Sequence, residues 1–394
     1  MLSSKISSWP SFTEEEADAV QRVLLSNKVN YWTGQEGREF EKEFAHFADS
    51  EYAIAVSNGT TALDLALKGL GIGEGDEVIV TSRTFIASIS SIVTAGATPV
   101  FTDVDRESQN ISPDTITAVI TENTKAIICV HLAGWPCEMD GIMNLADKHD
   151  LKVIEDCAQA HGAKYKGKSV GSIGHVGAWS FCQDKIMTTG GEGGMVTTND
   201  KELWSRMWSY KDHGKSYDAV YNTDHPPGFR WLHESFGTNW RLTEMQSAIG
   251  RIQLKRMPEW TRIRNEHAAK LVHVCREFSS IRIPDVPDYI EHANYKFYVF
   301  VEPKNLSEGW TRDKIIDALN EQGVPAMQGS CSEVYLEKAF EGKSFKPKTS
   351  LPVAKEIGGT SLMFLVHPTI SGDQMDTVCD CLRAVLSKAT AKTY

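Results

Sequence analysis

A single lysine, Lys185, lies just before a run of glycines in the stretch FCQDKIMTTGGEGGM, residues 181–195. A lysine beside a glycine-rich loop often binds phosphate, but a P-loop requires the lysine after the glycines and directly before Ser or Thr. In this chain the lysine precedes the glycines and is followed by Ile186. The order excludes a P-loop, so Lys185 is either a solvated surface charge or an amine used in covalent chemistry.

Other candidate residues lie where predicted strands end. Gly59 and Thr60 open a helix after the strand AIAVS (53–57), where exposed N–H groups suit a phosphate, although a plain capped helix start has the same pattern. Phe85 either stacks on a planar ligand or belongs to the core. Asp156 ends a buried apolar strand and either faces a cationic ring nitrogen or has a capping or salt-bridge role.

Considered together, these residue types match the needs of one cofactor. A helix start, an aromatic ring, a strand-end carboxylate, the Ser180 hydroxyl and the Lys185 amine follow one another along one α/β unit. Pyridoxal phosphate needs an anion site, a ring to stack on, a carboxylate at its pyridine nitrogen and an amine for a Schiff base. The set therefore indicates covalent chemistry for Lys185.

The elements that position these residues alternate between strand and helix. Apolar strands at 53–57, 77–82, 99–105, 125–132 and 151–156 are separated by helical segments. This alternation predicts an α/β fold with a mostly parallel central sheet and helices on both faces. Ligands of such sheets bind at the carboxyl ends of the strands, which is where the candidate residues lie.

The carboxyl-terminal part of the chain differs in character. Residues 239–270 predict a long helix interrupted at Pro258, and the stretches YKFYVFVEP and RDKIIDALNEQGVP predict a strand and a helix. We therefore predict a large cofactor-binding domain over residues 1–260, with an amino-terminal helical arm over 1–50. A smaller α+β domain is predicted over residues 261–394.

Composition excludes several classes of protein. The 394 residues carry a net charge of −11, which argues against nucleic acid or an anionic membrane as the main partner. We see no apolar leader and no run of about 18 apolar residues, so we expect a cytoplasmic protein. The eight cysteines include no CxxC pair, so we expect reduced thiols and no metal site.

Several long motifs occur in one order along the chain: SNGTTAL, GDEVIVTSRTFIAS, KAIICVHLAGWPCEMD, VIEDCAQAHGA, SFCQDKIMTTGGEGGMVTTND and FGTNWRLTEMQSAIGRIQL. In this order they resemble the sugar-nucleotide aminotransferases of the DegT/DnrJ/EryC1/StrS family, over nearly the whole chain. The resemblance implies the aspartate aminotransferase-like fold, which is fold type I of the pyridoxal phosphate enzymes, and pyridoxal phosphate as cofactor. The glycine run after Lys185 is one glycine longer than in the family, which alters the expected loop and not the lysine.

The resemblance also implies a role for each candidate residue. Lys185 resembles the lysine of the internal aldimine, Asp156 the acid that keeps the pyridine nitrogen protonated, and Gln159 the residue beside the ring oxygen. Phe85 resembles the ring packed on the cofactor face. The implied phosphate-binding set consists of Gly59, Thr60, Ser180 and, from the neighbouring subunit, Asn239. This last residue implies a homodimer with shared active sites.

Transamination of a nucleotide-linked sugar is the activity that the resemblance implies. L-Glutamate gives its amino group to the cofactor, and the pyridoxamine phosphate form passes it to a keto sugar in the synthesis of surface polysaccharide, O-antigen or glycan. We predict a 4-keto, UDP-linked deoxysugar as the acceptor. Candidate substrate contacts, each with a surface or packing role as the alternative, are Arg230, Trp231, His292 and Lys296, and segment 329–340 is a candidate to close over the sugar.

Three other functions stand as alternatives. A pyridoxamine-dependent sugar dehydratase of the same family would carry histidine in place of Lys185. A non-catalytic regulator that binds the cofactor would carry a basic DNA-binding helix, which this acidic sequence does not show. An amino-acid aminotransferase would act on free 2-oxo acids without a nucleotide sugar.

Overall fold

The computed structural model describes residues 6–227 and 231–392. No helix within these residues is both long enough and apolar enough to cross a lipid bilayer. The α-helices of the described residues are α1 Glu14–Leu25, α2 Glu36–Phe47, α3 Gly59–Leu70, α4 Ala87–Thr94, α5 Pro113–Thr117, α6 Met139–His149, α7 Lys201–Lys211, α8 Tyr217–Tyr221, α9 Glu244–Cys275, α10 Arg312–Glu321, α11 Pro352–Thr360 and α12 Gly372–Ala389. The strands are β1 Tyr52–Val56, β2 Glu77–Thr81, β3 Thr98–Thr102, β4 Thr124–Val130, β5 Lys152–Asp156, β6 Lys164–Tyr165, β7 Lys168–Ser169, β8 Val176–Ser180, β9 Gly194–Thr198, β10 Ile281–Arg282, β11 Ile290–Glu291, β12 Phe297–Val301, β13 Ala326–Met327 and β14 Ser361–Phe364.

A large sheet forms the centre of the fold, and its seven described strands lie in the order β1-β9-β8-β5-β4-β2-β3. The pairs from β8 to β3 are parallel, whereas β9 is antiparallel to both of its neighbours, β1 and β8. Parallel strands need a crossover connection, and helices α3 to α6 supply these connections between β1 and β5. The predicted mostly parallel sheet is confirmed.

Alternate residues of the large sheet face two different apolar cores. In β2, Val78 and Val80 pack in one core with Leu63 of α3, whereas Ile79 packs in another with Ile142 of α6. Successive side chains of a strand point to opposite faces, so both faces must be covered by helices. Each fully buried aliphatic side chain contributes roughly 1.5–3 kcal/mol, which favours this arrangement. The predicted α/β fold with helices on both faces is confirmed.

Helix α9 runs unbroken through Pro258, so the predicted interruption there is wrong. Proline removes one backbone N–H from a helix and costs about 3 kcal/mol. Here Met257 and Trp260 are buried on either side of the proline, and Arg256 forms an ion pair with Glu16 of α1 at 2.8 Å. We attribute the continuous helix to this packing, which holds both halves of α9 in place.

A second, smaller sheet follows α9, with the antiparallel order β10-β12-β14-β13. Val299 and Leu362 of this sheet pack with Leu319 of α10 and Leu382 of α12 in a core of their own. Leu271 near the end of α9 belongs to the same core, so α9 joins the two parts of the fold. The predicted smaller α+β part is confirmed, while the boundary between residues 260 and 261 and the limits of the arm over 1–50 stay predictions.

Candidate active site

A cavity of about 630 Å³ lies at the carboxyl ends of the parallel strands of the large sheet. The start of α3, the segment after β2, the last residues of β5 and β8, and the loop between β8 and β9 form its walls. We call it the strand-end cavity. Predicted site residues that line it are Gly59, Thr60, Phe85, Asp156, Gln159, Ser180 and Lys185.

The start of α3 is built to hold an anion. Asn58 caps this helix, because its Oδ1 accepts the N–H of Thr61 at 2.9 Å. The first N–H groups of a helix have no partner within the helix, and the helix dipole adds a partial positive charge there. A Cβ atom at position 59 would lie 2.5 Å from Ser180 Cβ, so only glycine lets the turn approach the serine this closely. Backbone N–H groups and the Ser180 hydroxyl therefore converge where the phosphate is expected.

The glycines after Lys185 support the same turn. Gly190 and Gly191 have φ angles of +88° and +124°, which glycine adopts without strain. Gly194 lies in β9 directly against the turn, since a Cβ there would lie 2.3 Å from the Asn58 carbonyl oxygen. The glycine run thus lets the chain turn back and pass close behind the start of α3.

Asp156 is the last residue of β5 and is 5% exposed. Its Oδ2 accepts a hydrogen bond from Ser88 Oγ at 2.8 Å, and its Oδ1 accepts the N–H of Ala158 at 3.1 Å. Burial raises the pKa of Asp156, and the Ser88 and Ala158 hydrogen bonds and the charge of Lys185 only partly oppose this. A protonated ring nitrogen in the cavity would supply the counter-charge that the buried carboxylate needs.

The neighbouring acid, Glu155, points to the opposite face and has a different environment. His131 Nε2 donates to Glu155 Oε2 at 2.9 Å. The backbone N–H of Gly171 donates to the same oxygen, and that of Gly174 donates to Oε1. Burial alone would raise the pKa of Glu155, but these hydrogen bonds and the His131 ring bring it below its usual range. The pair of His131 and Glu155 fixes the turn that follows β4. In this turn the Ala133 N–H donates to Gln159 Oε1 at 2.8 Å.

Lys185 lies between the large sheet and the second sheet. Its side chain is 17% exposed, and its Nζ lies 3.9 Å from Asp184 Oδ1 and 5.4 Å from the centre of the Tyr295 ring. The indole N–H of Trp9 donates to the Lys185 carbonyl oxygen at 2.7 Å. The amine therefore lies between its sequence neighbour Asp184 and the distant Tyr295, and the backbone is held by the distant Trp9.

Phe85 is 70% exposed and borders the strand-end cavity, so of its two alternatives the core position is excluded. The exposure has a local cause, because the chain turns away from the sheet after β2 before α4 begins. An aromatic ring in this position is free to pack on the face of a planar ligand.

A second cavity, of about 570 Å³, adjoins the first and shares Phe85, Gln159, Asp184 and Lys185 with it. We call it the adjoining cavity. Its far wall comes from the second sheet and from segment 329–340, as the sequence suggested, with Tyr298, Ser330, Cys331 and Glu337 among its residues. Lys296 also lines this cavity, with its Nζ 4.7 Å from the centre of the Tyr295 ring.

The remaining substrate candidates are placed differently. His292 lines a third cavity, of about 430 Å³, next to Trp135; this cavity shares Lys296 and Tyr298 with the adjoining cavity. Burial lowers the pKa of His292 to about 4. Trp231 is 84% exposed, and neither it nor Asn239 is among the described residues that line the strand-end or adjoining cavity. Arg230 lies outside the described residues.

Several residues around the site were missed from the sequence. Ser88 follows Phe85 by one helical turn, and this spacing could have indicated its contact with Asp156. Tyr295 stands next to the candidate Lys296, but its hydrogen bond to Asp184 joins two parts of the fold and left no local signal. The Glu155 and His131 pair was equally hidden, because its partners lie on different strands.

Solved structures that match this chain include aminotransferases. The aminotransferase of Psychrobacter cryohalolentis is 64% identical, with a TM-score of 0.95, and the match covers 97% of this chain and 99% of that one. A sugar aminotransferase of Streptococcus pneumoniae, Spr1654, solved in a PLP form and a PMP form, is 25% and 26% identical, each with a TM-score of 0.86. These matches cover 96–98% of this chain and 98–99% of the pneumococcal chain. The chain therefore has the fold of the type I pyridoxal phosphate aminotransferases.

The family follows from the sequence comparison. The chain belongs to the DegT/DnrJ/EryC1/StrS aminotransferase family, whose model matches residues 10–383. A curated relative, the GDP-perosamine synthase of Escherichia coli O157:H7, is 36% identical over 382 residues, which are 96% of this chain and 97% of the relative. The family and the solved structures imply dependence on pyridoxal phosphate, and the strand-end cavity fits that group through its anion-binding turn, its buried carboxylate and its lysine.

Replacing Gly59 by alanine tests the anion-binding turn. The new Cβ would force the turn away from Ser180, so we expect the apoprotein to bind pyridoxal phosphate about 10- to 100-fold more weakly, since overpacking costs about 1–3 kcal/mol. The measurement is the dissociation constant from a fluorescence or absorbance titration. Gly359→Ala in α11 is the matched control, because nothing lies within 4 Å of a Cβ there. Equal affinity of the Gly59→Ala variant and the wild type would contradict the assignment of this turn.

Proposed function

We propose that this chain is a nucleotide-sugar aminotransferase. It moves an amino group from L-glutamate to a keto carbon, the 4-keto carbon in our proposal, of a nucleotide-linked deoxysugar. The observation that carries the proposal is that Lys185 lines both the strand-end cavity and the adjoining cavity. One amine thus faces both the strand-end cavity, where the cofactor would bind, and the adjoining cavity, which is large enough for a sugar.

In this proposal, different residues of the strand-end cavity hold different parts of the cofactor. When bound, pyridoxal phosphate supplies an electron sink for the bond changes at the carbon that carries the amino group. Gly59, Thr60 and Ser180 would bind its phosphate, Phe85 would pack on its face, and Gln159 would lie beside its ring oxygen. Asp156 would keep the ring nitrogen protonated, because a carboxylate this deeply buried stabilises a cation beside it.

Lys185 has two tasks in the proposed reaction. Its Nζ would hold the cofactor covalently in the resting enzyme. As a free amine, the same Nζ would take a proton from the donor carbon and give it up again, as a general base and then a general acid. Its position at the opening between the two cavities supports both tasks.

The adjoining cavity is the proposed sugar site. Its polar wall offers Tyr298, Ser330 and Glu337 to sugar hydroxyls, and Lys296 offers a cation to the phosphates of the nucleotide. The relative named GDP-perosamine synthase supports a nucleotide-linked sugar as the substrate class. We propose UDP as the nucleotide, which follows from the family resemblance.

Assembly and location complete the proposal. Asn239 is exposed, which supports its proposed contact with the cofactor phosphate of a second subunit in a homodimer with shared active sites. The enzyme would act in the cytoplasm, and the products would enter amino-sugar-containing surface polysaccharide.

A panel of nucleotide sugars tests the activity. The purified enzyme is supplied with L-glutamate and UDP-, GDP- or dTDP-linked 4-keto-6-deoxysugars, and the products are identified by mass spectrometry. We expect an amino sugar, with UDP-linked substrate preferred. A deoxygenated sugar without nitrogen would instead indicate the dehydratase, and transfer to free 2-oxo acids alone would indicate an amino-acid aminotransferase. A yellow protein whose colour fails to bleach with glutamate would support the non-catalytic regulator.

A further inference from the structure

The residue directly before the lysine, Asp184, has its two carboxylate oxygens in two different contacts. Oδ1 lies 3.9 Å from Lys185 Nζ, and Oδ2 accepts a hydrogen bond from the hydroxyl of Tyr295. Asp184 lines both the strand-end cavity and the adjoining cavity. No role in binding or catalysis follows for it from the motifs of the sequence.

Tyr295 holds this carboxylate from a fixed position. The tyrosine is 6% exposed, its N–H donates to the Ala133 carbonyl at 2.9 Å, and Arg264 donates to its carbonyl at 3.2 Å. Burial and the neighbouring Asp184 raise the pKa of Tyr295 well above its usual range, so its hydroxyl stays a donor. The ring therefore fixes Asp184 relative to the second part of the fold.

The charges around the pair favour an ionised Asp184. Burial would raise the pKa of Asp184, but Lys185 and the Tyr295 hydrogen bond lower it overall. Lys296 also interacts electrostatically with this carboxylate: burial lowers the pKa of Lys296 to about 8, while Asp184 opposes the shift. Other titratable or charged groups that face the pair from the packed elements are Asp156, His161, Glu192, Arg264 and Glu337.

We propose that Asp184 is a positioning residue for Lys185: its carboxylate, fixed by Tyr295, holds Nζ at the opening between the two cavities and stabilises positive charge on that nitrogen. The inference rests on the proposed covalent role of Lys185 and extends it. An anion 3.9 Å from a cationic nitrogen favours its protonated form, and Lys296 has the opposite effect as a like charge. The pair is partly exposed, so solvent screens the interaction and its effect is modest.

A pH titration of the cofactor absorbance tests the proposal without substrate or turnover. The visible band of the loaded enzyme reports protonation of the nitrogen at Lys185. We expect Asp184→Asn to lower the midpoint of this titration by about 0.5–1 pH unit, because it removes the stabilising charge and keeps an acceptor for Tyr295. We expect Lys296→Met to raise the midpoint, since it removes the opposing cation. Shifts of opposite sign are the signature of an electrostatic role.

Tyr295→Phe separates positioning from charge. We expect it to lower the midpoint by less than Asp184→Asn in the wild-type background, and to have no further effect in the Asp184→Asn background. A shift of equal size in both backgrounds would show that Tyr295 acts independently of Asp184 and would overturn the proposed arrangement.

The two possible failures are distinguishable. If the wild type lacks a pH-dependent visible band that Lys185→Ala removes, the proposed function itself is wrong. If the wild type titrates but Asp184→Asn has the same midpoint, only the role of Asp184 is refuted, and the residue merely ties the loop to Tyr295. Asp184→Ala should lower the midpoint of the titration as Asp184→Asn does. Its side chain is more than half exposed, so its loss is compatible with folding.

Discussion

Replacing Lys185 by alanine is expected to abolish turnover and to remove the visible absorbance of the bound cofactor. Among the described residues, Lys185 has the only amine at the opening between the two cavities. Asp184 lies beside its Nζ, and Trp9 donates a hydrogen bond to its backbone carbonyl. In the proposed reaction this amine is the covalent anchor and the group that moves the proton, so we expect turnover of the variant to fall by about 10⁴-fold or more. Single-turnover assays with glutamate, together with absorbance spectra, measure both effects.

Suitable controls separate this effect from unfolding. Lys148→Ala changes an exposed lysine at the end of α6 and should leave turnover and spectrum unchanged. The Lys185→Ala variant should keep the melting temperature of the apoprotein within a few degrees, since its side chain contributes little to the core. Normal activity of this variant would refute the assignment of Lys185.

Replacing Asp156 by asparagine is expected to slow the glutamate half-reaction by about 10²–10⁴-fold. The amide is nearly isosteric: its oxygen can still accept the Ala158 N–H, and its NH2 group can donate to the Ser88 hydroxyl in place of the bond that Ser88 donates to the carboxylate, but it carries no charge. The ring nitrogen then loses its proton, and the electron sink on which proton transfer depends is weakened. Stopped-flow absorbance at saturating glutamate measures this step directly.

Ser88→Ala gives a graded comparison for the same carboxylate. It removes the 2.8 Å hydrogen bond to Oδ2 and leaves the charge, so the effect should be about tenfold or less. The covalent link to Lys185 should survive in both variants, which keeps the visible band as an internal check. An Asp156→Asn enzyme with an unchanged rate would contradict the proposed role of this acid.

Much of the strand-end cavity could be predicted because local patterns place its residues. Gly59 opens the helix after the predicted strand 53–57, Asp156 ends the predicted strand 151–156, and the carboxyl ends of such strands meet at one edge of the sheet. Ser180 ends β8, for which no strand was predicted. The fold class was predictable for the same reason, since alternating strands and helices leave few arrangements that bury both faces of a sheet.

The adjoining cavity could not be predicted in the same way. Its walls combine Asp184 and Lys185 of the loop after β8 with β12 and with segment 329–340, and only the packing of the second sheet on the first brings them together. Lys296 was predicted because it is basic and Trp231 because it is aromatic, and residue type alone does not separate them: Lys296 lines the adjoining cavity, whereas Trp231 lines neither cavity among the described residues. The unbroken course of α9 through Pro258 could not be predicted either, because the sequence pattern does not show which side chains are buried on both sides of the proline.

The hydrogen bond from Trp9 to the Lys185 carbonyl should limit which amino acids evolution accepts at position 9. Trp9 also packs edge-on against Trp260 at 5.0 Å and lies 5.2 Å from the Arg264 guanidinium, so the indole is clamped between α9 and the lysine loop. A residue in the segment before the first helix is thereby part of the support of the active site. Natural variation at position 9 should accordingly be restricted as strongly as variation among residues that touch the cofactor, although Trp9 lines neither cavity among the described residues.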